Sequence, residues 1–398
     1  MKNRNREIDF LRGIAILLVV FFHQRDFFEL PLFGFLQSTS FAVIDPFNML
    51  TKNGWFGVDL FFVLSGFLVS GLLFKEYQKY QDIKAGNFLI RRGFKIYPLF
   101  YLMIVASIFM YANIGKDFKI TQKIGELFFV RNYIGGMWGH TWSLCVEEHF
   151  YFFLCFILYI FSKKKMIGDV SRMNKALFTI MLVCVSLRAV NVMVELLYHR
   201  SVIFNYWVRH IQTQYRMDSL VCGVMIAYNY HFNRAALQSF YERNVKLLSG
   251  ITIFTFLLYT FVPAPDPENM NNMPWYTNVM SVAGYSLLYI SFGTILLYFI
   301  LTPDIAQRIN KRFSALIVNG IARIGFYSYS IYLFHKLVIV FIVKEYMPAD
   351  SWLSLITYYL VSIVAGVVIS EVIEQFTLKL RDKYFPSRSA SIIAQKTL

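Results

Sequence analysis

Apolar residues run through this chain in ten long blocks, with the polar positions gathered between them. The blocks cover roughly 8–24, 55–74, 96–114, 142–162, 176–197, 214–231, 247–263, 280–302, 317–343 and 352–373. Most approach the ~20 apolar residues that a helix needs to cross the hydrocarbon core of a bilayer. The pattern predicts an all-α, polytopic membrane bundle of about ten transmembrane helices. The sixth block is the weakest, because it opens on Arg216 and Asp218. Composition agrees: 57% of residues are hydrophobic and 16% charged, where soluble domains carry about 45–50% and 25%. Disorder is excluded, since it requires low hydrophobicity. Four cysteines in 398 residues, with no CxxC spacing, exclude a disulfide scaffold and read as buried thiols.

The formal net charge of +15 would suggest a nucleic-acid partner in a soluble protein. In a membrane protein, Lys and Arg mark cytoplasmic loops instead. Of 39 basic residues, 25 fall on the N-terminus, the even-numbered loops and the C-terminus, 9 on the odd-numbered loops and 5 inside blocks. This asymmetry predicts cytoplasmic termini and an even number of spans, with no nucleic-acid partner. The first block resembles a signal peptide in its basic start, but His23-Gln24-Arg25-Asp26 offers no small-x-small cleavage site. It is read as a retained span. Residues 1–380 form one transmembrane domain and 381–398 a basic cytoplasmic tail. The longest outer connections, near 25–54 and 115–141, are loop-sized.

Charges inside spans cost about 2.5–3.5 kcal/mol each on insertion scales and often mark function. Arg12 and His23 are eleven positions apart in the first block, so they share a helix face about 16 Å apart along the axis. Snorkelling of Arg12 and interfacial capping by His23 is the plainer alternative. Asp59 lies one turn into the second block, with Ser65 and Gly66 deeper. Arg91, Arg92 and Lys95 precede the third block; they suit either lipid anchoring or recognition of phosphates. The fourth opens on Trp142-Ser143 and carries the adjacent carboxylates Glu147 and Glu148. Arg216 and Asp218 suggest a self-compensating pair, His335 a structural histidine, and Glu374 a partner for Lys379 or Arg381.

Taken in order, these elements resemble the acyltransferase family 3 membrane enzymes. The resemblance rests on Arg12 and His23; Phe61-Phe62-x-x-Ser65-Gly66; Arg91-Arg92-x-x-Lys95-x-x-Pro98; and Thr141-Trp142-Ser143-Leu144-x-x-Glu147-x-x-Phe150-Tyr151. It continues through Arg216-x-Asp218-x-Leu220-x-x-Gly223 and Ser328-Tyr329-Ser330-Ile331-Tyr332-Leu333-x-His335. Lys95 stands where the family commonly has Arg, which keeps the charge and loses the bidentate fork. The resemblance implies a ten-span enzyme that moves an acyl group, often acetyl, from cytoplasmic acyl-CoA to a hydroxyl of an extracytoplasmic carbohydrate or glycolipid. A stand-alone form without a fused esterase-like domain, in a bacterial cytoplasmic membrane, is expected.

On this reading Arg91, Arg92, Lys95 and Arg12 meet the coenzyme A phosphates from the cytoplasmic side. His23 is the general base, oriented by Glu147 or Asp59, or else carries the acyl group covalently. Trp142, Ser143 and Ser65 bind thioester or oxyanion, while Glu148, Arg216 and His335 support the acceptor. No permanently bound cofactor or metal is called for; acyl-CoA is a substrate, and membrane lipid the surroundings. The rival reading is a proton-coupled secondary transporter, against which stand the missing inverted repeat and the cytoplasmic cation cluster. Acylation of a small secondary metabolite is the alternative acceptor chemistry.

Overall fold

The computed structural model describes residues 5–24, 53–261, 270, 272–348 and 351–388. Most of the connection near 25–54, the ends of the basic termini (including Lys2, Arg4 and Lys396) and Glu268 lie outside the described residues. The described part of each of the ten apolar blocks falls largely on helix, and no strand occurs among the described residues. The helices are α1 (Arg6–Gln24), α2 (Phe56–Tyr80), α3 (Ala85–Asn113), α4 (Trp142–Lys163), α5 (Val170–Leu197), α6 (Val202–Ile211), α7 (Met217–Phe232) and α8 (Arg234–Phe261). They continue as α9 (Pro274–Leu301), α10 (Ala315–Phe326), α11 (Ser328–Tyr346) and α12 (Trp352–Tyr384).

Six of these are long and apolar enough to cross a membrane, and a seventh span results if α10 and α11, bent by 77° at Tyr327, count as one. The protein is therefore an all-helical membrane-type bundle with about six clear candidate spans. Three predicted spans, on α1, α7 and α8, are not among them, the first two for visible reasons. Helix α1 carries Glu7, Asp9 and Arg12 in its first two turns, and α7 has only 16 residues.

Tight packing follows from small residues. Gly66 of α2 lies against the Leu220 carbonyl of α7, and Gly223 of α7 against the Val63 carbonyl of α2. Gly13 of α1 faces the Ile321 carbonyl of α10, and Gly325 of α10 faces the Asp9 carbonyl of α1. A methyl at any of the four would overlap a backbone oxygen, so glycine here lets helices approach to backbone contact, as in membrane-helix pairs generally. Ala15, Ile16 and Val19 of α1, Val63 and Leu73 of α2 and Val146 of α4 are fully buried. The cysteines are free, three of them buried, as expected.

The start of the basic tail is helical and docked on the bundle. Helix α12 runs on to Tyr384, and Arg388 pairs with Glu76 at 2.9 Å while its guanidinium stacks 4.3 Å over Tyr80. Phe385 packs on Phe94. Glu374 is buried and accepts from Ser370 at 2.6 Å, so the expected pairing with Lys379 or Arg381 gives way to a local hydroxyl.

Candidate functional site

A cavity of about 250 Å³ opens between α1, α2, α3, α4 and α11. Six of the side chains singled out from the sequence line it: Arg12, Ser65, Arg92, Lys95, Ser143 and Glu147. Their meeting follows from the helix pairings. Helix α1 packs on α2, and α4 touches both α2 and α3, so residues more than 80 positions apart converge. Apolar side chains from α2, among them the exposed Leu68 and Leu72, form the rest of the wall.

Glu147 is the polar centre. Ser65 donates to Oε1 at 2.9 Å and Tyr151 to Oε2 at 2.6 Å. The Arg92 guanidinium stacks 4.2 Å over the Tyr151 ring and interacts electrostatically with both Glu147 and Glu148. Glu148 points elsewhere: it is buried and accepts from Tyr97 at 3.0 Å. Arg12 donates to Ser328 at 2.9 Å and faces Asp9 at 3.7 Å. The cationic group and a carboxylate therefore share one chamber, where the sequence suggested separate cytoplasmic and outer ends.

Tyr332 and Ser143 stand together in the wall, 2.6 Å apart. Tyr332 donates to the His140 carbonyl at 2.5 Å. That direction obliges Ser143 to donate to Tyr332, so the Ser143 proton is committed and its remaining capacity is as an acceptor. Beyond this pair lie three imidazoles, His23, His140 and His335. Ring centres are 4.9 Å apart for His23 and His335, 5.0 Å for His140 and His335, and 6.2 Å for His23 and His140. His140 and His335 are buried and His23 half-buried. Among the described residues no group of three His, Cys, Asp or Glu side chains is arranged to hold a metal ion.

The structure does not bring His23 to either carboxylate expected to orient it. Its Nδ1 contacts the Val19 carbonyl at 3.0 Å and His335 Nε2 at 3.1 Å. Asp59 instead pairs with Arg216 at 2.7 Å, both fully buried. Asp218 pairs with Arg188 at 2.7 Å, also fully buried. Arg216 and Asp218, two positions apart, thus each form their ion pair with another residue rather than with each other. At the start of α7 they project in different directions, so each reaches a partner on another helix. A third buried pair joins Arg209 to Glu195 at 2.8 Å, bridged by Asn278. The Arg216 guanidinium lies 3.7 Å from the centre of the Tyr285 ring and 5.6 Å from that of Trp142. Trp142 packs on Phe62 and His210 outside the cavity lining.

Arg91 is also outside the lining. It pairs with Asp382 at 3.0 Å and donates to the Phe385 carbonyl, tying α3 to the end of α12. In the loop before α4, Glu126 accepts from the Trp138 amide at 3.0 Å and Thr141 at 2.8 Å, both on Oε1. Burial pushes its carboxyl above the usual carboxylate range, against the pull of those donors.

This cavity and its wall carry the residues of one family. The family model described as an acyltransferase domain matches residues 5–374. The chain belongs to acyltransferase family 3. Among similar proteins, this acyltransferase-family chain is 25% identical to the O-acetyltransferase OatA of Staphylococcus aureus over 350 residues, 82% of the chain and 52% of that protein. It is 29% identical to the peptidoglycan O-acetyltransferase OatA of Listeria monocytogenes over 174 residues, 39% of the chain and 24% of that protein. The chain thus spans about half the length, or less, of the curated relatives it matches. No solved structure matches it.

Sequence reasoning passed over His140, Tyr332, Tyr151 and Tyr97 as site residues. The signal was present for three of them: Tyr332 lies in the Ser328–His335 element, Tyr151 closes the Thr141–Tyr151 element and His140 flanks Trp142.

Proposed function

We propose that the protein is a membrane-embedded O-acyltransferase, moving an acetyl group from cytoplasmic acetyl-CoA to a hydroxyl of an extracytoplasmic carbohydrate. The cavity carries the reading: Arg12, Arg92 and Lys95 share one chamber with Glu147, and three histidines lie just beyond its Tyr332–Ser143 wall. Family membership and the O-acetyltransferase names of the relatives support it. The positive-inside pattern orients the chain with cytoplasmic termini and places the basic start of α3 on the donor side. The bacterial origin of the relatives supports a setting in the cytoplasmic membrane of a bacterium.

A cavity of about 250 Å³ suits the slender arm of coenzyme A, with its phosphates at the cationic side chains. At the far end His23 accepts the proton of the acceptor hydroxyl. The hydroxyl oxygen attacks the thioester carbonyl, a tetrahedral oxyanion forms, and the carbon–sulfur bond breaks. The leaving thiolate recovers the proton from His23. Positioned base catalysis of this kind contributes about 10²–10⁴-fold. Glu147, held by Ser65 and Tyr151, keeps Arg92 aligned over the Tyr151 ring.

The test uses purified full-length protein, labelled acetyl-CoA and a chitotetraose acceptor. Label is expected on the sugar with wild type and not with His23→Ala. Wild-type transfer by His23→Ala refutes the base assignment. Coenzyme A should also raise the thermal midpoint in detergent, which a simple transporter would not show.

A further inference from the structure

The three imidazoles have hydrogen-bond partners that fix where their protons sit. His335 Nδ1 lies 2.7 Å from the Tyr332 carbonyl. A carbonyl only accepts, so Nδ1 carries the proton, and the neutral ring has its lone pair on Nε2. That Nε2 is 3.1 Å from His23 Nδ1, which also faces the Val19 carbonyl at 3.0 Å. Two acceptors converge on one nitrogen, so His23 Nδ1 holds the proton and His23 Nε2 carries the lone pair. His140 is fixed separately: its Nε2 meets the Leu333 carbonyl at 3.3 Å, and its buried Nδ1 has no hydrogen-bond partner among the described residues.

We propose that His335 is the positioning residue for His23, accepting the His23 Nδ1 proton on its Nε2 where a carboxylate was expected. The inference rests on the reading of His23 as the base. The expected orienters are engaged elsewhere, Asp59 by Arg216 and Glu147 by Ser65 and Tyr151. The Val19 carbonyl belongs to His23's own helix and does not fix the ring against the rest of the site. His335 sits on α11, so its bond ties the base to the helix that also carries Tyr332. A neutral imidazole serves here without burying a negative charge in the bilayer. When His23 takes the hydroxyl proton on Nε2, its Nδ1–H becomes a charge-assisted donor, and His335 Nε2 receives the stronger bond.

The test compares His335→Leu with His335→Gln, whose amide oxygen can accept from His23 Nδ1, in the acetyl-CoA and chitotetraose assay. His335→Leu is expected to lower kcat by about tenfold to a thousandfold, between the loss of an outer-shell contact and the loss of a triad orienter. The KM for acetyl-CoA should stay within about twofold, because the donor arm is bound elsewhere. His335→Gln should recover most of the lost kcat. Monodisperse elution confirms folding, and His335→Met replaces the Leu variant if that one does not accumulate. Wild-type kcat in the Leu or Met variant, a Gln variant as slow as Leu, or a change in KM alone overturns the proposal. His23→Ala runs alongside. If it is inactive while His335→Leu is fully active, the positioning role fails and the base assignment stands. If it is fully active, both fall.

Discussion

The Asp59–Arg216 pair offers the sharpest test of how the bundle is held. Both side chains are fully buried, 2.7 Å apart, and Arg216 also lies over the Tyr285 ring at 3.7 Å. Removing one member of such a pair typically costs about 3–5 kcal/mol, because the other charge is left uncompensated. The two single deletions should differ. With Asp59→Leu, Arg216 keeps the field of Asp218, so the cost falls near ~3 kcal/mol. With Arg216→Met, Asp59 loses its cation and faces Asp218, so the cost falls near ~5 kcal/mol. The double variant replaces a buried pair by apolar groups of similar volume and should regain most of the loss. Thermal unfolding in detergent, followed with a thiol-reactive dye on the buried cysteines, gives the four midpoints. Asp59→Leu should lower the midpoint by roughly 5–10 °C, and Arg216→Met further. If Asp59→Leu costs as much in the Arg216→Met background as in wild type, the two residues are not coupled and the argument fails.

Other consequences follow from the same geometry. Arg92→Lys keeps the charge but loses the planar stacking over Tyr151, and should raise the acetyl-CoA KM by about tenfold with little change in kcat, read by initial rates. Arg91→Gln should leave that KM within about twofold and lower the thermal midpoint instead, because Arg91 is engaged by Asp382 and the Phe385 carbonyl. Ser143→Ala removes a donor already committed to Tyr332, so Tyr332→Phe and Ser143→Ala should be non-additive in kcat. Glu126 binds its proton more tightly folded than unfolded. Its contribution to stability is therefore fully present below the ordinary carboxylate range and lost as pH rises through its elevated folded value. Denaturation midpoints measured across that window should fall with pH in wild type and flatten in Glu126→Gln.

The sequence located the helices well, because apolar blocks with sparse charge leave little choice of structure in a bilayer. It also named six of the lining residues: Arg12, Ser65, Arg92, Lys95, Ser143 and Glu147 come from four elements of the family resemblance and meet in space. Pairings were less legible. Arg216 and Asp218 are neighbours in sequence, yet each binds across to another helix. Nothing in the linear order indicates that Asp59 belongs to Arg216 rather than to His23. Arg188, Glu195 and Arg209 gave no motif at all, since buried ion pairs are defined by depth and by helix rotation. Helix ends were blurred by continuity: α12 passes through the expected boundary near 380, and the basic tail begins as a docked helix.

The reciprocal glycine contacts have a mechanical consequence. Helices α2 and α7 touch backbone to backbone, as do α1 and α10. Such couples have no side-chain cushion through which to slide, so each moves as one stiff strut. Ser65 and Asp59 ride with α7, and Arg12 rides with α10. Any shape change that admits a substrate is thereby confined to the joints between struts, with the 77° elbow at Tyr327 as the natural fulcrum. Tyr332 and His335 lie one and two turns beyond that elbow. A small swing there would carry Tyr332 of the chamber wall and the partner of His23 together.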